Sequence, residues 1–250
     1  MAGPHFGYGH DIEQTDWIWK RLLKMLEGKT VLVVVPARGG SKGIPLKNLM
    51  LFRGKPLVTW AGEIACNLSF ADQQIISTDL HAIADVATEA GLNFPFLRPD
   101  DLSGDIVSDA QVLIHALQEM ELLDQTRYDI ILMLQPTSPM RTAAQVTEVV
   151  NLLIEEGSDS VFTVSPTNLK YHPLKQFELN QGRVNFYDPA GKKIVARQQL
   201  TQTFHRNGIA YAMTRECLLE QEATIGRDAL AIITEGPAIN IDTLEDLKLS

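Results

Sequence analysis

Only two cysteines occur in this chain, Cys66 and Cys217, far apart and each in a helical pattern. That argues against a disulfide framework and makes a reduced, cytoplasmic setting the expected compartment. No apolar run is long enough to cross a membrane. The opening MAGPHFGYGHDIEQTDW also lacks the basic-then-apolar order of a signal peptide. Six histidines are present, but none stands in H-x-x-x-H or cysteine-paired spacing, which argues against a zinc site. Internal repeats and low-complexity tracts are missing too. The formal net charge of −9 disfavours nucleic acid as a partner, because that would want a broad basic face. With 250 residues, 45% of them hydrophobic, the chain can bury a real core as one large domain or one domain plus an excursion.

One stretch departs from the acidic average. From Val31 to Asn48 the chain reads VLVVVPARGGSKGIPLKN. Residues 31–35 are apolar and mostly β-branched, as in a strand buried on both faces. Gly39, Gly40 and Gly43 let the backbone turn tightly with its N–H groups inward, while Arg38 and Lys42 add charge-assisted donors. That is the chemistry of a phosphate cradle at the carboxyl end of a sheet strand. Between Pro36 and Lys55 stand Arg38, Lys42, Lys47, Arg53 and Lys55, with no acidic residue. A polyanionic ligand accounts for such a local excess; a glycine-rich turn with solvated basic residues is the plainer alternative. The cradle is not a P-loop, since Gly43 stands where a magnesium-binding hydroxyl belongs, and it does not fit G-x-G-x-x-G.

Beyond it, strand and helix patterns alternate. Helices are expected over residues 56–67, 80–90, 109–121 and 142–156, the second closed by Gly91 and the last by Gly157. Strands are expected over 74–78, 93–97, 129–134 and 160–164, and later over 207–213 and 237–241, before a short closing helix. Alternation of this kind implies an α/β fold of right-handed βαβ units, with ligands at the carboxyl ends of the strands. Residues 171–206 break the rhythm with a hairpin around Asn180-Gln181-Gly182, read as a dimerisation arm or lid. At the other end, residues 11–27 form an amphipathic pattern within an N-terminal extension, residues 1–30, that precedes the domain of residues 31–250.

The motifs PARGGSKGIPLKN, STD (77–79), LRP (97–99), LQPTSPMR (134–141), HPLK (172–175), RQQ (197–199), NGIAY (207–211) and INIDTLEDL (239–247) occur in that order. Together they resemble the acylneuraminate cytidylyltransferases, the CMP-sialic acid synthetases, from about residue 31 to the end. The resemblance implies a three-layer, Rossmann-like nucleotidyltransferase with a mostly parallel central sheet and an antiparallel dimerisation arm. It implies transfer of CMP from CTP to the anomeric hydroxyl of a nonulosonic sugar acid, with Mg²⁺ and release of pyrophosphate, in a homodimer. By the same resemblance Arg38 and Lys42 neutralise the triphosphate, helped by Ser41, Lys47 and Asn48. Arg98 and Ser108 belong to the nucleotide pocket. Gln135 and Tyr211 touch the sugar, and Lys175 and Arg197 reach the acidic sugar from the arm, in trans if the arm packs on a second subunit.

Two places depart from the family pattern. Its metal motif is usually Asp-x-Asp-[TS], and here it reads Asn240-Ile241-Asp242-Thr243. Residues two apart on a strand face one side, so Asp242 and the neutral oxygen donor Asn240 would both point at the metal. Around residues 223–225, where sialic acid enzymes often place aromatics against the N-acyl group, Thr224 and Ile225 are smaller. That favours another nonulosonate, such as legionaminic, pseudaminic or deaminated neuraminic acid. The remaining alternative is a non-catalytic nucleotide-binding relative that lost its metal site through Asn240.

Overall fold

The computed structural model describes residue 26 and residues 28–40, 44–234 and 238–248. The expected N-terminal helix, apart from Leu26, and the cradle residues Ser41, Lys42 and Gly43 lie outside the described residues. Among the described residues ten strands run in chain order: β1 Val31–Pro36, β2 Leu51–Phe52, β3 Lys55–Pro56, β4 Gln73–Ser77, β5 Ile130–Met133, β6 Ser160–Pro166, β7 Phe177–Asn180, β8 Arg183–Phe186, β9 Phe204–Thr214 and β10 Ala229–Ile233. The described α-helices are α1 Leu57–Cys66, α2 His81–Glu89, α3 Asp109–Asp124, α4 Ala143–Glu156, α5 Arg215–Gln221 and α6 Leu244–Lys248.

Six strands make the central sheet, in the order β4-β1-β5-β9-β6-β10. β1 pairs in parallel with both β4 and β5, and β10 with β6. Only β9 runs against its neighbours, so the sheet is mostly parallel, as expected. Alternation along β1 explains the layering. Val31, Val33 and Val35 face one core with Val58, Ala61, Ile83 and Val149 from α1, α2 and α4. Leu32 and Val34 face the other, with Leu113, Leu117 and Leu218 from α3 and α5. A strand buried on both faces has no polar side, and the VLVVV run is the result.

The long helices begin where the sequence chemistry says they should. Ser108 and Thr142 each accept a hydrogen bond from the backbone N–H three residues on, while Gln111 and Gln145 reach back to the cap. Such reciprocal caps satisfy two orphan donors at once. Gly157 ends α4 at φ 63°, a conformation that suits a residue without Cβ.

Two strand expectations need correction, and one strand is added. Residues 93–97 make only a single bridge, Asn93 to Ile75, because Pro95 removes a donor from the ladder. The edge beside β6 is taken by the ALAII run of β10, a strand not among those expected. Residues 238–242 instead run as irregular chain, where the Ile241 N–H donates to the Thr137 carbonyl at 2.8 Å. The arm, by contrast, holds its expected form. β7 and β8 form a separate hairpin turned at Gln181 and Gly182, both with positive φ, and Phe177 lies across from Phe186 with ring centroids 4.8 Å apart.

Candidate active site

The carboxyl ends of β1 and β5 open into a cleft of about 500 Å³. Its walls carry Arg38, Lys47, Asn48, Arg98, Gln135, Asn240 and Asp242, seven of the residues singled out from sequence. Arg38 leaves β1 and is held by Asp105 at 3.0 Å. This pair is about one-third exposed, so it contributes roughly 0–1 kcal/mol and yields readily to a stronger anion. Lys47 opens a short 3₁₀ turn and places its Nζ 2.8 Å from Asp242 Oδ1. Buried Asn48 donates to the Arg38 carbonyl at 3.0 Å and so pins the chain leaving β1.

Arg98 is the most enclosed of these cations. It is 3% exposed, with Asp79 only at 3.9 Å, and its Nε and Nη2 have no hydrogen-bond partner. Burial pushes its guanidinium down from the ordinary arginine value. Asp79 is shared with the cradle, accepting from the Gly39 N–H at 2.8 Å. A buried cation with orphaned donors beside a cleft is matched to an anion or carbonyl that arrives from outside.

The motif at residues 240–243 is built from a side-chain network. Asn240 Nδ2 donates to Asp242 Oδ2 at 2.7 Å, so the two side chains meet although no strand aligns them. Asn240 Oδ1 is buried without a partner. Thr243 accepts from the Asp246 N–H at 3.3 Å, while Asp246 accepts from the N–H groups of Asp242 and Thr243. That reciprocal cap fixes Asp242 at the start of α6 and holds the Asp246 carboxyl below its usual range. Among the described residues no three of His, Cys, Asp and Glu cluster as a metal site. Mg²⁺ does not need three, because one or two carboxylates plus substrate phosphates suffice. One carboxylate and one orphaned amide oxygen on the same wall fit that requirement.

Other expected site residues lie elsewhere. Ser108 caps α3 through Gln111 and does not line the cleft; its neighbour Asp109 does. Tyr211 is buried in the sheet, stacked on Phe162 at 6.0 Å, and burial raises its hydroxyl pKa. Lys175 and Arg197 line a second cavity of about 290 Å³ on the arm, beside Phe177, Phe186 and Leu200. Within one chain the structure does not bring them to the cleft. Thr224 and Ile225 sit at the far end of the sheet, where the Gly226 N–H donates to Ser160 Oγ at the start of β6. Within one chain they therefore stand away from the cleft, which lies at the opposite, carboxyl ends of the strands. Of the two cysteines, Cys66 is exposed and Cys217 buried.

Sequence reasoning passed over three residues: Asp105, Asp109 and Arg141. Arg141 is 4% exposed and bonds the carbonyls of Gln135, Ser138 at 3.1 Å and Gly208 at 3.3 Å, stapling the LQPTSP loop to β9. Burial lowers its guanidinium to about 9, which still leaves it charged at neutral pH. Its signal was an arginine among apolar and proline residues, where a solvated charge has no place.

Three comparisons bear on this geometry. The family pattern described as Cytidylyltransferase matches residues 32–245. A pseudaminic acid cytidylyltransferase of Campylobacter jejuni is 30% identical over 221 residues, covering 88% of this chain and 94% of that protein. A CMP-N,N'-diacetyllegionaminic acid synthase of Legionella pneumophila is 39% identical over 140 residues, 56% of this chain and 60% of that one. Among solved structures, a CMP:2-keto-3-deoxy-manno-octonic acid synthetase complexed with CTP superposes with a TM-score of 0.63 at 19% identity, over 88% of this chain and 96% of the other.

Proposed function

The chain belongs to the cytidylyltransferase family, and on that premise we propose that it moves CMP from CTP to the anomeric hydroxyl of a nonulosonic acid, releasing pyrophosphate with Mg²⁺ present. The observation that carries this reading is one cleft joining Arg38, Lys47 and Arg98 to the Asn240–Asp242 pair. Three cations suit a triphosphate, and the oxygen pair suits the metal that accompanies it.

In this reading a phosphate displaces Asp105 from Arg38 and draws Lys47 from Asp242. Both cations then face the phosphates, where negative charge builds on the leaving pyrophosphate. Lys42 and Ser41, outside the described residues, are proposed to complete the same cradle. Arg98 offers its orphaned donors to the nucleotide. Asp242 and the Asn240 amide oxygen would hold Mg²⁺, which supplies charge neutralisation at the phosphates and at the attacking hydroxyl. Gln135 and Tyr211 are assigned to the sugar side.

The sugar is proposed to be of the pseudaminic, legionaminic or neuraminic type, supported by the relatives that share the sequence. The protein is proposed to be a cytoplasmic homodimer, because the arm leaves Phe177, Leu179 and Val184 exposed while Lys175 and Arg197 stand away from their own cleft. Decay to a non-catalytic relative is disfavoured by the retained cations and Asp242 facing each other across the cleft. The test is pyrophosphate release from CTP and Mg²⁺ with a panel of nonulosonic acids. No turnover with any of them at enzyme concentrations near substrate level would reject the reading.

A further inference from the structure

Asp109 stands out among the three carboxylates, with Asp105 and Asp242, in the wall of a cleft whose cations suit an anionic substrate. Asp79 and Asp105 hold the backbone or side chains of the cradle and Asp242 faces Lys47, whereas Asp109 bonds a neutral amide. It is the first residue of α3, and it accepts from Gln135 Nε2 at 3.3 Å. An ionised carboxylate only accepts hydrogen bonds, so the amino end of the Gln135 amide must face it. The carbonyl end, Oε1, therefore turns the other way. A Cβ built on Gly208 would come within 2.9 Å of that oxygen and 3.7 Å of Asn240 Oδ1, which puts Gln135 Oε1 on the same wall as the Asn240–Asp242 pair. Gly208 has φ of 74° and no side chain, and only such a residue leaves the oxygen room. Among the described residues nothing donates to Gln135 Oε1.

We propose that Asp109 is a positioning residue that locks the Gln135 amide so that its oxygen, not its nitrogen, meets a hydroxyl or N–H donor of the sugar acid. The inference rests on the proposed sugar acid chemistry and deepens it. A cleft that read the opposite end of the amide would favour an acceptor at that point of the sugar. Burial raises the pKa of Asp109, outweighing Arg206 of β9, the Gln135 hydrogen bond and Arg98 of the preceding loop, which all lower it. Tyr211 of β9 also faces this corner. The lock therefore weakens on acidification, at a higher pH than an exposed aspartate would show.

The test pairs D109N with the double variant D109N/Q135E. In D109N the Gln135 amide is free to turn over, and KM for the sugar acid should rise about tenfold, the worth of one ordinary hydrogen bond, with KM for CTP unchanged. In D109N/Q135E the bond reverses direction, the side chain at position 135 again presents an oxygen, and the net charge equals that of the wild type. It should recover most of the lost affinity. An unrescued double variant, or a D109N whose only defect is in CTP binding, overturns the proposal. A second readout is independent of turnover. The Gln135 side-chain amide protons, followed by NMR in glutamine-labelled protein, should titrate with Asp109 in the wild type and not in D109N. A flat titration in the wild type overturns the lock. Absence of turnover in a wild type whose amide does titrate would reject the proposed function instead.

Discussion

Asn240→Asp tests the metal assignment because it changes the site in opposite directions with and without Mg²⁺. The Asn240 amide nitrogen lies 2.7 Å from Asp242 Oδ2 and donates to it. A carboxylate at residue 240 deletes that bond and sets two like charges against each other. Two unit charges at 4 Å interact by about 1 kcal/mol in water and about 4 kcal/mol near a protein surface. Asp242 is more than half exposed and already paired with Lys47, so about 2 kcal/mol is the appropriate scale. For a chain of this size that lowers Tm by about 4–8 °C in chelator. Bound Mg²⁺ turns the same pair of carboxylates into ligands. Relief of the repulsion then tightens the metal by roughly tenfold or more, at about 1.4 kcal/mol per decade. Two assays read this: thermal unfolding in chelator and in Mg²⁺ with CTP, and the Mg²⁺ concentration for half-maximal pyrophosphate release. Equal Tm in chelator together with an unchanged Mg²⁺ requirement would refute the assignment.

Asp242→Asn should leave a folded protein with turnover reduced by about 10²-fold or more, and normal turnover at ordinary Mg²⁺ would place the metal elsewhere. Arg141→Met removes three charge-assisted bonds to carbonyls of the LQPTSP loop and β9, which should cost about 3 kcal/mol, seen as a urea midpoint shift at constant slope. An unchanged midpoint would mean that the loop is held by other contacts. Lys42→Ala should lower turnover by about 10²- to 10³-fold with little loss of CTP affinity, measured by steady-state kinetics and calorimetry. Mixing inactive Lys42→Ala protein with inactive Arg197→Ala protein should restore activity if the arm acts in trans, and monomeric sedimentation would count against that.

How far the sequence could be read depended on whether local chemistry or tertiary competition decided each element. VLVVV reads as a two-faced buried strand and is one. The apolar periodicity of residues 109–121 and 142–156 marked α3 and α4, whereas the capping roles of Ser108 and Thr142 emerge only from the structure. Residues 93–97 looked like a strand, but Pro95 denies them a ladder beyond the single bridge at Asn93, which apolar content alone does not reveal. The place beside β6 belongs to residues 229–233, and strand pairing of this kind is decided only in the assembled sheet. Asn240 and Asp242 do meet, yet a hydrogen bond and a helix cap bring them together, not the period of a strand. The cleft cations were legible as an excess of charge in an acidic chain. Asp109 was not, because its meaning comes from Gln135, a residue 26 positions later on another strand end.

The most direct measurement is product analysis after incubation of the purified protein with CTP, Mg²⁺ and each of pseudaminic, legionaminic, N-acetylneuraminic and deaminated neuraminic acid. Mass spectrometry should find a CMP-linked sugar acid, together with one pyrophosphate per sugar consumed, for at least one member of the panel. Asp242→Asn protein under the same conditions should form almost none. Tight CTP binding without a CMP-sugar from any of the four acids would contradict the account.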